Sequence, residues 1–499
     1  MADTVRNDDE ILRSFGYRPQ LRRVLKNFTV FAFGFSAFSA VTAVFTSVGP
    51  IYAVAGPRGI WLIPVCFAGM FFVALIYANL ATRVPVTGLE YQWGAKLANQ
   101  TIGNALGWAG FTAEIVGVVA IDYVLASVIV PAVFNFSSTL TSSWLVTALA
   151  LAIQTVILCL SITLVGRLTR VAAIMELGIL VGGAILLIVV GALRGQLHPA
   201  LLGSTGTVGG NGYWSLGNLS GVGPFWFGIS VAFFATAGFQ ACGNVAEESN
   251  DAVVSVPRNI VRTLVIGVAS MMALIVALVV TSSDVKALES SPLTVSIILD
   301  QVLGGAVGRV LLVLIAYSVF ICGLGVYLQG VRYVWAMARD GDFPGYRLLR
   351  LRDVSPTLKT PVPATVAMLV VMEVVLAFFA ERTAAFNNLL AAGGLSFVVI
   401  YALGLGVYAF RGRRLPQLAP LFVFGRWEWL VVGLAGAWLA LSVWVFRLPA
   451  FNGPWIYLGV MYGIGAVYFV YRAVSRRTEA GVGAEQSGAV QGEEGDRLA

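Results

Sequence analysis

Gly34–Phe45, GFSAFSAVTAVF, and Ala232–Glu248, AFFATAGFQACGNVAEE, are apolar stretches interrupted in mid-run by small, hydroxylated and amide residues. The first carries Ser36, Ser39 and Thr42, and the second carries Thr236, Gly238, Gln240, Gly243 and Asn244. Taken singly, such residues mark close helix packing. Their placement says more, because the two interruptions fall at corresponding positions of two five-helix halves.

Working outward, each stretch belongs to one of twelve long apolar runs, near 28–48, 59–80, 106–133, 143–165, 171–193, 223–245, 260–282, 306–331, 362–380, 385–409, 428–446 and 455–471. Runs of this kind match the roughly 20 residues with which a helix crosses a hydrocarbon core of about 30 Å. Composition agrees: 58% of the 499 residues are hydrophobic and 11% charged, and the mean hydropathy is +0.85. The fold class is an all-α polytopic membrane protein. With both termini inside, 26 of the 32 basic residues fall on one side, as retention of Lys and Arg in cytoplasmic loops requires. The net charge of +7 therefore reports topology, with the lipid bilayer as partner and no nucleic acid.

Other chemistry is sparse. Cys66, Cys159, Cys242 and Cys322 are scattered through spans, which supports neither a disulfide framework nor a thiolate metal site. His198 is the only histidine, too few for most metalloenzyme sites or a Ser/His/Asp triad. No catalytic residue, metal or cofactor is expected, and the reading is not an enzyme. The segment before Phe28 is read as an amphipathic piece at the membrane interface, and the acidic tail after Arg477 as disordered.

Paired interruptions in two halves point to inverted-repeat transporters, in which freed backbone groups at helix breaks hold a substrate near the bilayer midplane. The loops sharpen this. AVAGPRGIWLIPV before and within the second span, ANLATRVPVTGLEYQWGAKLA (Ala78–Ala98), GWAGFTAEIVGVVAIDY (Gly107–Tyr123), AEESNDAVVSVPRNIVR (Ala246–Arg262) and RYVWAMARDGDFP (Arg332–Pro344) followed by TPVPA (Thr360–Ala364) together resemble the amino acid/polyamine/organocation (APC) superfamily of permeases. The third-span and sixth-span segments are most similar to its amino acid/choline transporter branch.

The resemblance implies a LeuT-like 5+5 inverted repeat with the first and sixth spans broken and two peripheral helices added. The expected organisation is a cytoplasmic segment 1–27, a first repeat 28–193, an external loop 194–222, a second repeat 223–409, two further helices in 410–472, and a cytoplasmic tail 473–499. Both termini would be cytoplasmic and the cell membrane the location. In such a site a substrate carboxylate meets N–H groups near Ser39, Ala40, Val41, Thr42 and Ala43. An amine meets carbonyls at Thr236, Ala237 and Gly238, with Gln240 nearby and Phe233 or Phe234 as a thin gate. The chain departs from the family pattern where Ala43 replaces a glycine of the first break, Asn79 an acid, and Leu89 a second glycine. Gln240 in place of an acid weighs against choline.

Carboxylates at membrane depth are costly and face a cavity or a partner. Glu114 and Asp122, eight residues apart on the third span and so on roughly one face, are read as proton-coupling or amine-binding groups, against a structural hydrogen-bonded role. Glu176 and Glu373 are further intramembrane acids. Glu247 and Glu248, at the mouth of the sixth span, are expected to pair with Arg258 in an inner gate. The expected function is uptake of a small amino acid or amine, coupled to H+ by a secondary active permease. An exchanger is the alternative, a nutrient sensor a further one, and a channel would need a polar stripe that these spans lack. The sequence names neither the substrate nor an oligomeric state.

Overall fold

The computed structural model describes the backbone of residues 2–218, 221–291, 294–379 and 385–496, with side chains in these ranges except 2–7, 379, 385–390, 413 and 476–496. It is all-helical in its regular structure. In chain order the elements used below are α1 Ala2–Ser14, α2 Asn27–Phe38, α3 Ala40–Ala55, α4 Leu62–Arg83, α5 Leu89–Trp93, α6 Gln100–Val124, α7 Leu140–Leu160, α8 Ile162–Leu177, α9 Gly183–Leu193, α10 Ile229–Phe234, α11 Ala252–Thr281, α12 Thr294–Leu303, α13 Gly305–Arg339, α14 Val362–Phe379, α15 Ala385–Arg411, α16 Glu428–Phe446 and α17 Asn452–Asp496. Among the described residues eleven helices are long and apolar enough to cross a membrane, and the shorter apolar helix α14 occupies the place of the ninth expected span. α17 continues past its apolar part to Asp496, where the sequence reading expected disordered chain. Residues 497–499 of that tail lie outside the described residues.

Local signals place the helix starts. Asn99 Oδ1 accepts the Ile102 N–H at the start of α6, and Thr139 with Ser142 forms a reciprocal capping box on α7. Each satisfies N–H groups that a first helical turn leaves without partners.

Burial is reversed relative to a water-soluble bundle. On α7, Leu145, Leu149, Ile153, Val156 and Leu160 are exposed, while Thr147, Gln154 and Thr155 are buried. Lipid tolerates the leucines but offers no hydrogen bond to an amide or hydroxyl, so the polar side chains turn inward. At the centre α6 and α13 run antiparallel in close contact. A Cβ built on Gly110 would stand 2.5 Å from Tyr333 Cζ, and one on Gly330 would stand 3.3 Å from Glu114 Cβ. Glycine at these points lets two backbones approach as no larger residue would.

The N-terminal segment corrects its sequence reading. Leu12, Tyr17, Leu21 and Leu25 are buried, and Val24 and Leu25 donate backbone N–H bonds of 3.1 and 2.9 Å to the Glu248 carbonyl. The segment lies across the mouth formed by the ends of the sixth and eighth spans. It does not lie loose on a membrane surface, because its apolar residues find a protein face before they find lipid. We call this the basic face.

Candidate functional site

Two helix breaks meet in the core. α2 ends at Ser39, whose φ of +37° and ψ of 86° lie in the left-handed region, and α3 starts at the next residue. Ser39 N donates to the Phe35 carbonyl (2.8 Å), closing α2. Its Oγ accepts the Thr42 N–H (3.2 Å), capping α3. The first N–H groups of α3, at Ala40 and Val41, have no acceptor within the helix and carry the positive end of its dipole.

Opposite them, α10 stops at Phe234, and the chain resumes as a 3-10 stretch, Phe239–Glu248, after Gly238 at φ +89°. A Cβ on Gly238 would stand 3.8 Å from Phe38 Cα and 3.9 Å from the Ala37 carbonyl oxygen. The two breaks are therefore neighbours, with the buried N–H end of α3 on one side and the end of α10 on the other. Such an arrangement can hold an anionic group and a cationic group of one small molecule.

Side chains complete the surroundings. Gly238 N donates to Tyr401 Oη (3.0 Å), which donates to Gln240 Oε1 (2.7 Å). Glu176 of α8, fully buried, accepts from Ser39 Oγ at 3.3 Å, and Cys322 Sγ of α13 donates to the Ala37 carbonyl at 3.4 Å.

On the basic face the charged side chains form a lattice. Glu248 pairs with Arg332, each 1% exposed. Glu247 pairs with Arg339 at 3.1 Å, and Arg339 stacks over the rings of Tyr17 (3.8 Å) and Trp335 (4.4 Å). Arg23 donates to the Ala246 and Ser249 carbonyls (3.3 and 3.0 Å) and to Asp9 Oδ1 (2.7 Å).

A family model described as amino acid permease matches residues 25–469. The chain belongs to the amino acid permease family. It is thereby a member of the APC superfamily that its loops resemble. Among the similar proteins is an uncharacterized amino-acid permease of Schizosaccharomyces pombe, 24% identical over 90% of this chain and 79% of its own. The branched-chain amino acid permease BcaP of Lactococcus lactis is 25% identical over 86% of this chain and 90% of its own. The GABA-specific permease of Saccharomyces cerevisiae is 24% identical over 70% and 62%. These are transporters and not enzymes, and so is the class to which this permease belongs.

Several sequence expectations change in the permease. Arg258 is exposed, on the second turn of α11, and takes no part in the Glu247 and Glu248 pairs. Arg332 and Arg339 do so instead, seven residues apart and thus on one face of α13. Ala43 does not form the break; its N–H bonds to the Ser39 carbonyl (2.9 Å) inside α3. Phe233 is stacked on Trp438 at 6.3 Å, and Phe234, half-buried, faces Gly393. The Thr236 hydroxyl turns back to the Phe233 carbonyl (3.0 Å).

Glu114 and Asp122 do share a face, the one packed on α13, but Asp122 is tied to Gln154 Nε2 (3.0 Å) and covered by Gly323. Glu373 is half-buried on α14. Asn79 is engaged in holding Arg83 (2.8 Å) and the Phe422 carbonyl (2.9 Å). Leu89 has a positive φ of +36°, at some strain.

Sequence reading missed Glu90. The chain between the second and third spans reads as a loop, yet Thr87–Trp93 is wholly buried. Burial raises the Glu90 carboxyl to about 7, with the Tyr333 hydroxyl bond pulling the other way. The one available signal was an acid set among Val84, Val86, Leu89, Tyr91 and Trp93.

Proposed function

We propose that this permease is a secondary active transporter that imports a small amino acid or amine across the cell membrane by alternating access, coupled to protons. The juxtaposed breaks at Ser39 and Gly238 carry the reading, because they offer donors and acceptors of opposite character to a small zwitterion at the centre of the bundle. In this reading the fold is the LeuT-like 5+5 inverted repeat with twelve spans, α14 being the ninth, and the basic face is cytoplasmic. Substrate contacts come from Ser39, Ala40, Val41 and Thr42 on one side and from Thr236, Ala237, Gly238 and Gln240 on the other, with Phe234 as the gate. Relatives named for branched-chain amino acids, GABA and putrescine support a substrate that is an amino acid or an amine. Glu114, buried in mid-span without a cation, supports proton coupling.

Purified protein in proteoliposomes is tested with labelled amino acids, 4-aminobutyrate, ethanolamine, choline and polyamines, with and without an inward proton gradient. Gradient-driven accumulation of one class, lost in Glu114→Gln, is the expected result. Exchange without net accumulation would favour an antiporter, and binding without any uptake would overturn the carrier reading.

A further inference from the structure

Glu90 on α5 and Glu114 in mid-α6 are 0% and 1% exposed. Tyr333 of α13 lies between these elements: its hydroxyl donates to Glu90 Oε2, and its ring abuts Gly110, one turn before Glu114. Glu90 Oε1 and Glu114 Oε2 are buried without a hydrogen-bond partner, and the Glu90 carboxyl acts electrostatically on Glu114. The groups acting on the pair are Tyr77 of α4, Tyr333 of α13 and Tyr401 of α15, with Met368 of α14 packed over Gly330 beside Glu114. None is a cation, and the guanidinium groups of Arg332 and Arg339 are engaged by Glu248 and Glu247. Two buried carboxylates without a countercharge do not both ionise; they hold at least one proton between them.

We propose that Glu90 and Glu114 form one proton-carrying carboxyl pair and that Glu90 is the member that exchanges its proton with the basic face. The surroundings set this direction. Towards the substrate site, Tyr401 links to Gln240 and the Gly238 N–H. Towards the basic face, the neighbouring Tyr91 hydroxyl donates to Asp340 Oδ2 (2.7 Å), which also accepts from Tyr17 (2.9 Å), and Gln100 joins Tyr91 to Asp342 (2.8 Å each). The pair cycles between a neutral, doubly protonated state and a monoanion sharing one proton. One H+ passes to water at the basic face per cycle and is replaced from the substrate side, with no other bond changed. A Glu90 carboxyl that titrates near neutrality takes up and gives up its proton under working conditions.

The inference rests on the proton-coupled reading, and its test separates the two. In proteoliposomes, uptake of labelled leucine, 4-aminobutyrate and putrescine is measured under a proton gradient, with internal pH followed by a dye, and again as counterflow without a gradient. The neutral carboxyl carbonyl band is titrated by infrared spectroscopy on the same protein. Glu90→Gln is expected to lower the ratio of gradient-driven accumulation to counterflow at least tenfold and to remove a band that titrates near pH 7. Tyr333→Phe, which keeps the ring, shifts that band's midpoint upward by removing a bond that favours the anion. Should Glu90→Gln keep both the wild-type ratio and the band, the pair is refuted. A wild-type protein that accumulates substrate without proton flux refutes the coupling reading instead, and loss of the band in Glu90→Gln then still identifies Glu90 as the group that shares the proton.

Discussion

Removing Arg332 from its pair with Glu248 should unlatch the basic face. Both side chains are 1% exposed, so Arg332→Met leaves a buried carboxylate without its cation, a change that costs about 3–5 kcal/mol. The low end applies, because Arg332 Nε and Nη1 and Glu248 Oε2 already lack partners and the pair is incompletely satisfied. About 3 kcal/mol, at about 1.4 kcal/mol per tenfold, shifts the balance between closed and open mouths by about 150-fold. The assay is the alkylation rate of a cysteine placed at Thr87, in a background without the native cysteines. Thr87 is fully buried behind the gate, and its Oγ1 accepts the Glu247 N–H at 3.2 Å. Arg332→Met should raise that rate by up to about two orders of magnitude. The double variant Arg332→Met/Glu248→Met should return most of the way, since an apolar pair of similar volume replaces a buried ion pair at little cost. Equal rates in wild type and single variant would refute the gate role.

Ser39→Ala removes the cap of α3 and the bond to Glu176; it should cost about 1 kcal/mol of stability and weaken substrate binding in a scintillation-proximity assay, while Ser39→Gly, which tolerates φ > 0, should lose binding with less loss of stability. Gly69→Ala places a methyl 2.1 Å from the Trp438 ring and should lower stability by about 1–3 kcal/mol, read as a drop in melting temperature in detergent. Glu90 has a folded-state pKa of about 7 against an ordinary 4.5. Its protonated form is thus favoured on folding, and wild type should lose about 3 kcal/mol relative to Glu90→Gln as pH rises from about 4.5 through about 7, seen as a widening gap between their melting temperatures. Arg23→Ala cuts the ties to Ala246, Ser249 and Asp9 and should speed trypsin cleavage at Arg18 and Arg22.

What was legible in the chain depended on period and length. The crossing helices were readable because an apolar run long enough to span a bilayer has few other fates, and the breaks near Ser39 and Gly238 because small and polar residues in mid-span are unusual. Arg258 was misassigned for an equally physical reason. Sequence proximity made it the nearest cation to Glu247 and Glu248, whereas the partners came from α13, more than eighty residues away. Phe233 and Phe234 are adjacent, and no periodicity states which of them faces Gly393 and which stacks on Trp438.

The amino-acid sequence by itself determined that this protein lives in a bilayer, which loops carry the positive charge, and that the first and sixth spans are interrupted, since these follow from hydrophobicity, charge and backbone chemistry along one segment at a time. The tertiary structure alone decided that Ser39 and Gly238 face each other, that Glu176 reaches the first break, that the N-terminal segment closes over the basic face, and that Glu90 is buried beside Tyr333. These depend on which helices lie against one another, and in a membrane every helix is apolar enough to pack on any other, so the partners are chosen by glycine contacts and paired charges that only the assembled bundle brings together.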